Sequence, residues 1–329
     1  MSSRSAPLLL PAWREGGQGF EKPVFHPRSG RKTGKKGGWI HTKHMGLNTN
    51  ERRGLLYVVI AVGMFATSPV LVRLAYPVSA FQITFWRMAL AAPMVFVLSH
   101  VLQQPIQLPR QEMGRFAVYG LVTALHFLFY IASLQFTTIA HSLAIVYTAP
   151  IFIAMFSVIF LHEPLARRKY AGIVIAIIGV AILAGFEPRF SRRMLFGDLL
   201  ALGSALWFAL YSVIGRSQRD RYPLLTYVFM VYGLAALWLA PAAVLSFKPN
   251  YTPMSLLGIL LLGIVPAGIG HTLYNAALRR VHAAYANLIA TQEVSGGIIL
   301  GLLILHEVPS ANSIVGALIA LVGIAAVLL

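Results

Sequence analysis

From Gly54 onward the chain runs in long apolar stretches with only short polar interruptions. A helix needs about 20 mostly apolar residues to cross a bilayer. The pattern predicts ten such helices, at about 55–75, 80–100, 114–134, 139–161, 169–187, 196–215, 224–246, 254–274, 284–305 and 311–329. Nine short connections share what remains, which leaves no room for a soluble catalytic domain. Pro69, Pro93, Pro150, Pro241 and Pro266 fall inside these stretches. Membrane helices tolerate them, because neighbouring helices re-satisfy the freed backbone groups. The expected fold class is therefore an all-α integral membrane protein with ten transmembrane helices.

Composition sharpens this picture. Hydrophobic residues make up 57% of the 329 and charged residues 11%, against roughly 25% charged in soluble domains. A soluble particle could not cover its surface with so few charges, yet the formal net charge is +17. Eleven of the 27 Lys and Arg lie in residues 1–53 beside Glu15, Glu21 and Glu51, in a segment without sustained apolar periodicity. Residues 1–53 thus read as a basic disordered tail, cytosolic and close to anionic lipid. A basic tail also suits nucleic acid, but nothing resembling a nucleic-acid fold follows, so no nucleic-acid partner is expected. Leu8-Leu9-Leu10 is too short for a signal peptide. Met45 lies just before the apolar portion, and residues 1–44 are expected to be an upstream extension of a chain that natively starts there.

Loop charge sets the expected orientation. One set of loops carries Arg110, Arg115, Arg167, Arg168, Lys169, Arg216, Arg219, Arg221, Arg279 and Arg280. The other carries Arg73, Arg189, Arg192, Arg193 and Lys248. Both termini are expected on the cytoplasmic side, and short loops suit a bacterial inner membrane. There is no cysteine, which excludes disulfides and Cys-based metal or redox chemistry. No metal site or cofactor is expected.

The chain also repeats itself. A shift of 144 positions places Tyr130 on Tyr274, Ala140 on Ala284 and Leu161-His162-Glu163 on Leu305-His306-Glu307. The same shift places Gly172, Ala176 and Gly179 on Gly316, Ala320 and Gly323. A shift of 143 pairs Phe65-Ala66 with Phe208-Ala209 and Arg73 with Arg216. The repeats run over 54–187 and 194–329. Each holds five spans, an odd number, so the second enters the membrane from the opposite side. Inverted-topology repeats mark transporters whose midplane site is exposed alternately to either face.

These residues carry a resemblance. Tyr147-Thr148-Ala149-Pro150-Ile151-Phe152 followed by Phe160-Leu161-His162-Glu163-Pro164, Thr291-Gln292-Glu293-Val294 followed by Leu305-His306-Glu307, and Phe85-Trp86-Arg87 resemble the ten-helix EamA-type branch of the drug/metabolite transporter superfamily. The resemblance covers about 54–329. The family commonly has Gly before the closing Glu, where this chain has His162 and His306. The resemblance implies passage of a small metabolite, an amino acid or related compound, through a central cavity, with efflux the expected direction.

Polar groups inside the spans are the candidate chemistry, since an ionisable side chain at mid-bilayer costs roughly 2.5–3.5 kcal/mol on insertion scales. Glu293, beside Gln292, either binds a cationic group or coupling proton, or makes a helix-packing hydrogen bond. Arg87 either holds a substrate carboxylate or snorkels to the interface. His126 with Tyr130, and His271 with Asn275, are i, i+4 pairs that form either a cavity cluster or interhelical hydrogen bonds. Trp207 and Tyr211 share that spacing and either stack on a flat solute or pack, and Tyr147 lies in the matching stretch of the first half. Glu163 and Glu307 read as helix-end contacts. The Gly297/Gly301 pair and the Gly172/Ala176 and Gly316/Ala320 pairs read as close helix packing. Zincin, P-loop and GxSxG signatures are absent.

The expected function is alternating-access transport of a small solute in the lipid bilayer, with protons as a candidate coupling ion and a homodimer compatible with the layout. The rivals are a passive facilitator, a non-transporting receptor and an intramembrane enzyme.

Overall fold

A computed structural model describes residues 49–107, 110–161, 167–185, 191–218, 220–281, 286 and 289–328. Most of the basic tail, the Met45 start and the His162-Glu163 pair lie outside the described residues. Everything described is helix, turn or short irregular connection, without a strand.

In chain order the first half holds α1 (Thr49–Leu74), α2 (Ala80–Val101), α3 (Met113–Phe136), α4 (Ile139–Val146), α5 (Ala149–Leu161) and α6 (Arg167–Gly185). The second half holds α7 (Arg192–Gln218), α8 (Leu224–Leu245) and α9 (Pro253–Leu262), which continues through a π-helical stretch, Gly263–His271, into α10 (Thr272–Leu278). It closes with α11 (Glu293–Leu305) and α12 (Ala311–Leu328). Among the described residues, six stretches are long and apolar enough to cross a membrane: Thr49–Leu74, Ala80–Val101, Arg110–Phe136, Arg192–Gln218, Leu224–Leu245 and Pro253–Leu278. Shorter apolar helices, Ile139–Ile153, Tyr170–Ile182, Glu293–Leu305 and Ala311–Gly323, stand where the other four spans are expected.

Two of the expected spans are broken. The stretch expected as one helix over 139–161 stops at Val146 and restarts at Ala149, with Tyr147 and Thr148 in the turn. In the second half Thr291 and Gln292 form a turn and α11 starts at Glu293. These breaks are 144 positions apart, the shift of the sequence repeat. Average hydrophobicity cannot show such an interruption, because each segment is apolar as a whole.

Local chemistry fixes several ends. Ser79 caps α2 by accepting from the Gln82 amide, and Thr138 caps α4 by accepting from the His141 amide. Thr252 and Ser255 form a reciprocal capping box at α9 with Pro253 in the first turn. The π-helical stretch surrounds Pro266, which has no N–H to donate, and such widened turns recur at functional sites. His306 ends α11 with φ 54°, the left-handed conformation that favours glycine at this position.

Packing follows the repeat. The most extensive pairing is α6 against α12. There a side chain on Gly179 would strike the backbone of Ala320 and Gly316, and one on Gly323 would strike Ala176 and Gly172. The small residues singled out in the sequence therefore meet reciprocally, and their missing side chains set the close approach. Likewise α3 packs on α7, while α3's counterpart in the second half, the α9–α10 segment, packs on α1. Buried apolar side chains form two main clusters, one around Phe65, Leu134, Leu143 and Tyr274 and one around Phe127, Phe208, Tyr232 and Ala267. The outward faces are apolar, as at Val97, Leu237, Leu303 and Val322, which suits a lipid solvent.

Candidate functional site

The polar side chains that an apolar bundle must accommodate converge at one cavity of about 30 Å³ lined by Arg87, His126, Tyr130, Tyr147, His271 and Glu293 together with Phe65, Ser68, Phe127, Val146 and Phe208. All are buried; Arg87 is 1% exposed and Glu293 7%. Glu293 is the first residue of α11, so it sits directly after the second helix break. Its carboxylate accepts from the Tyr147 hydroxyl at 2.5 Å and from the Tyr130 hydroxyl at 3.3 Å. Tyr147 stands in the first break, so a tyrosine at the interruption of one half is bound to the carboxylate at the interruption of the other.

Arg87 enters the cavity from α2. One guanidinium nitrogen donates to the Ser68 hydroxyl at 3.1 Å, and the group lies 4.3 Å from the centre of the Phe127 ring. Its Nε is buried without a protein partner. Among the described residues no ion pair joins Arg87 to Glu293, although both line the same space. Arg87 is fully buried and does not snorkel.

The two histidines differ. His126 Nδ1 lies 3.0 Å from the Ser204 hydroxyl and 3.2 Å from the Ser204 carbonyl, and its ring stacks on Phe208 at 4.8 Å. His271 closes the π-helical stretch against Phe65 and Phe127, at 4.4 and 4.9 Å between ring centres. Its Nδ1 has no protein partner. Behind it, Asn275 donates from its amide nitrogen to the His271 carbonyl at 2.8 Å and to the Tyr211 hydroxyl at 2.9 Å.

Of the residues singled out in the sequence, Glu293, Arg87, His126, Tyr130, Tyr147 and His271 come together, with Tyr211 and Asn275 in the layer behind. Trp207 is only part-buried and Gln292 is exposed, and neither lines the cavity. The aromatic that α7 presents there is Phe208, one residue on. Sequence reasoning also passed over Ser68, Phe65 and Phe127. Only the pairing of Phe65 with Phe208 across the repeat pointed toward two of these four.

A second, partly buried polar cluster lies where α1, α3 and α11 end and α7 begins. Asp198 accepts from the Thr137 hydroxyl at 2.7 Å and faces His141 Nδ1 at 3.1 Å. Arg73 donates to the Thr137 carbonyl at 2.7 Å and to Glu307 at 3.3 Å, and Glu307 accepts from the Ile139 amide at 2.6 Å. Glu307 thus makes the helix-end contact expected of it. At the opposite end, where α3 and α8 begin, Glu112 pairs with Arg115 at 2.9 Å and with Arg221, and Arg279 donates to the Tyr222 carbonyl at 2.8 Å.

An all-helical bundle of membrane-length helices around an enclosed charged cavity has the build of a membrane transporter. The EamA-like transporter family matches residues 52–185 and again 195–329, so the chain belongs to that family and carries two copies of its domain. A pseudopaline exporter of Pseudomonas aeruginosa is 25% identical over 278 residues, 82% of this chain and 94% of its own length. An uncharacterized transporter of Archaeoglobus fulgidus is 24% identical over 256 residues, 74% of this chain and 86% of its own. A solved crystal structure shares the fold with a TM-score of 0.64 at 20% identity, covering 84% of this chain and 96% of that one.

Proposed function

We propose that this chain exports a small amphoteric metabolite, an amino acid or a compound built like one, by proton-coupled alternating access around the Arg87–Glu293 cavity. One observation carries the reading: two opposite charges are buried in one cavity without being paired to each other. Burying a charge is expensive unless a partner compensates it. A solute bearing both a carboxylate and an ammonium supplies both partners at once. Arg87 offers a planar fork for the carboxylate, and Glu293 accepts the ammonium, with Tyr147 and Tyr130 orienting it. Glu293 holds either a proton or the ammonium. Protonation from one side therefore releases the solute there, and loss of the proton on the other side readmits it.

The cavity volume supports a moving bundle. At roughly 10–15 Å³ for a single water, about 30 Å³ is far below the size of such a solute. Loading requires helices to part. Broken helices at corresponding positions of the two halves are the expected hallmark of a midplane site, and the breaks at Tyr147-Thr148 and Thr291-Gln292 fit it. In this reading the four shorter helices complete ten crossings. The same reading takes the halves as inverted, supported by α1 ending at the Arg73–Glu307 cluster where its counterpart α7 begins. The basic loops and both termini then face the cytoplasm of a bacterial cell. The pseudopaline exporter among the relatives supports efflux of a metabolite.

The test is reconstitution into liposomes with a panel of labelled amino acids and related amphoteric compounds, with and without a pH gradient. At least one is expected to move, faster with the gradient, and Glu293→Gln is expected to cut that flux by about tenfold or more. No flux of any solute by the unmodified protein would sink the proposal. Flux indifferent to both the gradient and Glu293→Gln would instead identify a passive facilitator.

A further inference from the structure

Between the central cavity and the end where α8 begins lie buried hydroxyls that the solute site does not use. Tyr232, Tyr227, Ser212 and Thr272 are 0, 3, 7 and 5% exposed, and none of these hydroxyls finds a protein partner. Native structures satisfy nearly all buried polar atoms. Phenylalanine, valine or alanine would fill the same volumes without the desolvation cost. The hydroxyls are also not scattered. Tyr232 approaches Tyr211 and Thr272 without meeting hydrogen-bond geometry, and Tyr211 is joined to Asn275, which contacts the backbone of the cavity residue His271. One turn further along α7, Gly215 leaves a gap. A side-chain carbon there would lie 3.6 Å from the Tyr227 hydroxyl and 3.9 Å from the Asn275 carbonyl oxygen. The polar atoms of Tyr227 and Asn275 therefore face the open position at Gly215 of α7.

The line stops at an aromatic plug. Phe116 is fully buried, its ring 4.9 Å from Tyr222, 5.6 Å from Tyr119 and 6.2 Å from Tyr227. At the same end Glu112 pairs with Arg115 and Arg221. The opposite end of the bundle is built differently. There Arg73, Thr137, Ile139, His141, Asp198 and Glu307 bind one another directly. Both ends carry polar contacts, but the buried hydroxyls of Ser212, Tyr227, Tyr232 and Thr272 lie on the Phe116 side of the cavity.

We infer that the strip between α7, α8 and α10 is one half of the solute path, a hydrated track running from His271 past Gly215 to the Phe116 plug. This rests on the transporter reading above. When the plug swings aside, water and the passing solute supply the partners that the hydroxyls lack. Gly215, having no side chain, keeps the track open at its middle.

The absence of cysteine makes the test direct. Single cysteines are placed at Ser212, Gly215 and Thr272, with the exposed Ser217 as an aqueous control and the lipid-facing Leu237 as a dry one. Each is exposed to a membrane-impermeant cationic thiosulfonate from either side of oriented vesicles, and solute flux is measured on the same preparations. Ser212→Cys and Gly215→Cys are expected to react from the side on which Ser217→Cys reacts. Adding Phe116→Ala is expected to speed that reaction about tenfold, because less packing holds the plug shut. If both stay as unreactive as Leu237→Cys, with or without Phe116→Ala, in vesicles that still transport solute, the track is refuted and the transporter reading stands. Loss of flux in the unmodified protein would instead strike the transporter reading itself.

Discussion

Arg87 shows how much one side chain can constrain a membrane protein. It sits at 1% exposure with a single side-chain hydrogen bond, to Ser68, and the face of Phe127 beside it. Lysine carries the same charge but offers no planar fork and stacks less well on an aromatic ring. Arg87→Lys is therefore expected to leave a folded protein that binds the transported solute at least about tenfold more weakly, read as a raised half-saturation concentration for flux. Unchanged half-saturation would show that Arg87 only holds α1 and α2 together. At this scale the sequence was informative about charge and poor about direction. Glu293 and Arg87 stood out because a charge within an apolar span is costly. The choice between Trp207 and its neighbour Phe208 depends on the rotation of α7, and a helix that is apolar on most sides gives little periodicity to fix it. Gln292 was drawn toward the site by adjacency to Glu293, yet the helix break turns it outward.

Among the elements, α6 and α12 depend on small residues more than any other pair. Gly179 and Gly323 each lie against the backbone of the opposite helix, so a larger side chain cannot be met by a flexible neighbour moving away. Gly179→Val or Gly323→Val is expected to force the pair apart and to cost about 1–3 kcal/mol, seen as a lower thermal unfolding midpoint in detergent. The reciprocal contacts predict similar losses for the two variants; a loss confined to one would contradict the reciprocity. Which glycines matter was legible, because the repeat set Gly172, Ala176 and Gly179 against Gly316, Ala320 and Gly323. The helix breaks at Tyr147-Thr148 and Thr291-Gln292 were not. Pro150, just past the first turn, has no N–H to donate to the preceding helix, and Glu293 follows the second turn. Membrane helices tolerate both residues mid-span, so neither by itself separates a break from continuous helix.

Across the whole molecule, the Arg73–Glu307–Thr137–Asp198–His141 cluster ties α1, α3, α4, α7 and the end of α11 together. Asp198 serves two of these partners at once. Removing it leaves the Thr137 hydroxyl and the His141 ring nitrogen without their acceptor, at a cost of roughly 1–3 kcal/mol. Asp198→Ala is expected to quicken amide hydrogen exchange over residues 137–142 by about tenfold, with little change at the opposite end around residues 222–228. Uniform quickening throughout would mean general destabilisation and not the loosening of one end. The sequence signalled Glu307 as a helix-end residue and the repeat paired Arg73 with Arg216. It did not bring His141 to Asp198, because they lie in different halves and depend on how α4 docks against α7.

The π-helical stretch Gly263–His271 has no counterpart in the first half, where α3 is regular throughout. The two copies share a packing plan but not a backbone geometry at this position. A carrier with identical halves would spend equal time facing either way and exchange solute with equal ease in both directions. Under the proposed alternating access, halves that differ in this way give the two facing states different energies. The proposed cycle would then carry a resting preference set by the backbone, present before any gradient acts on it.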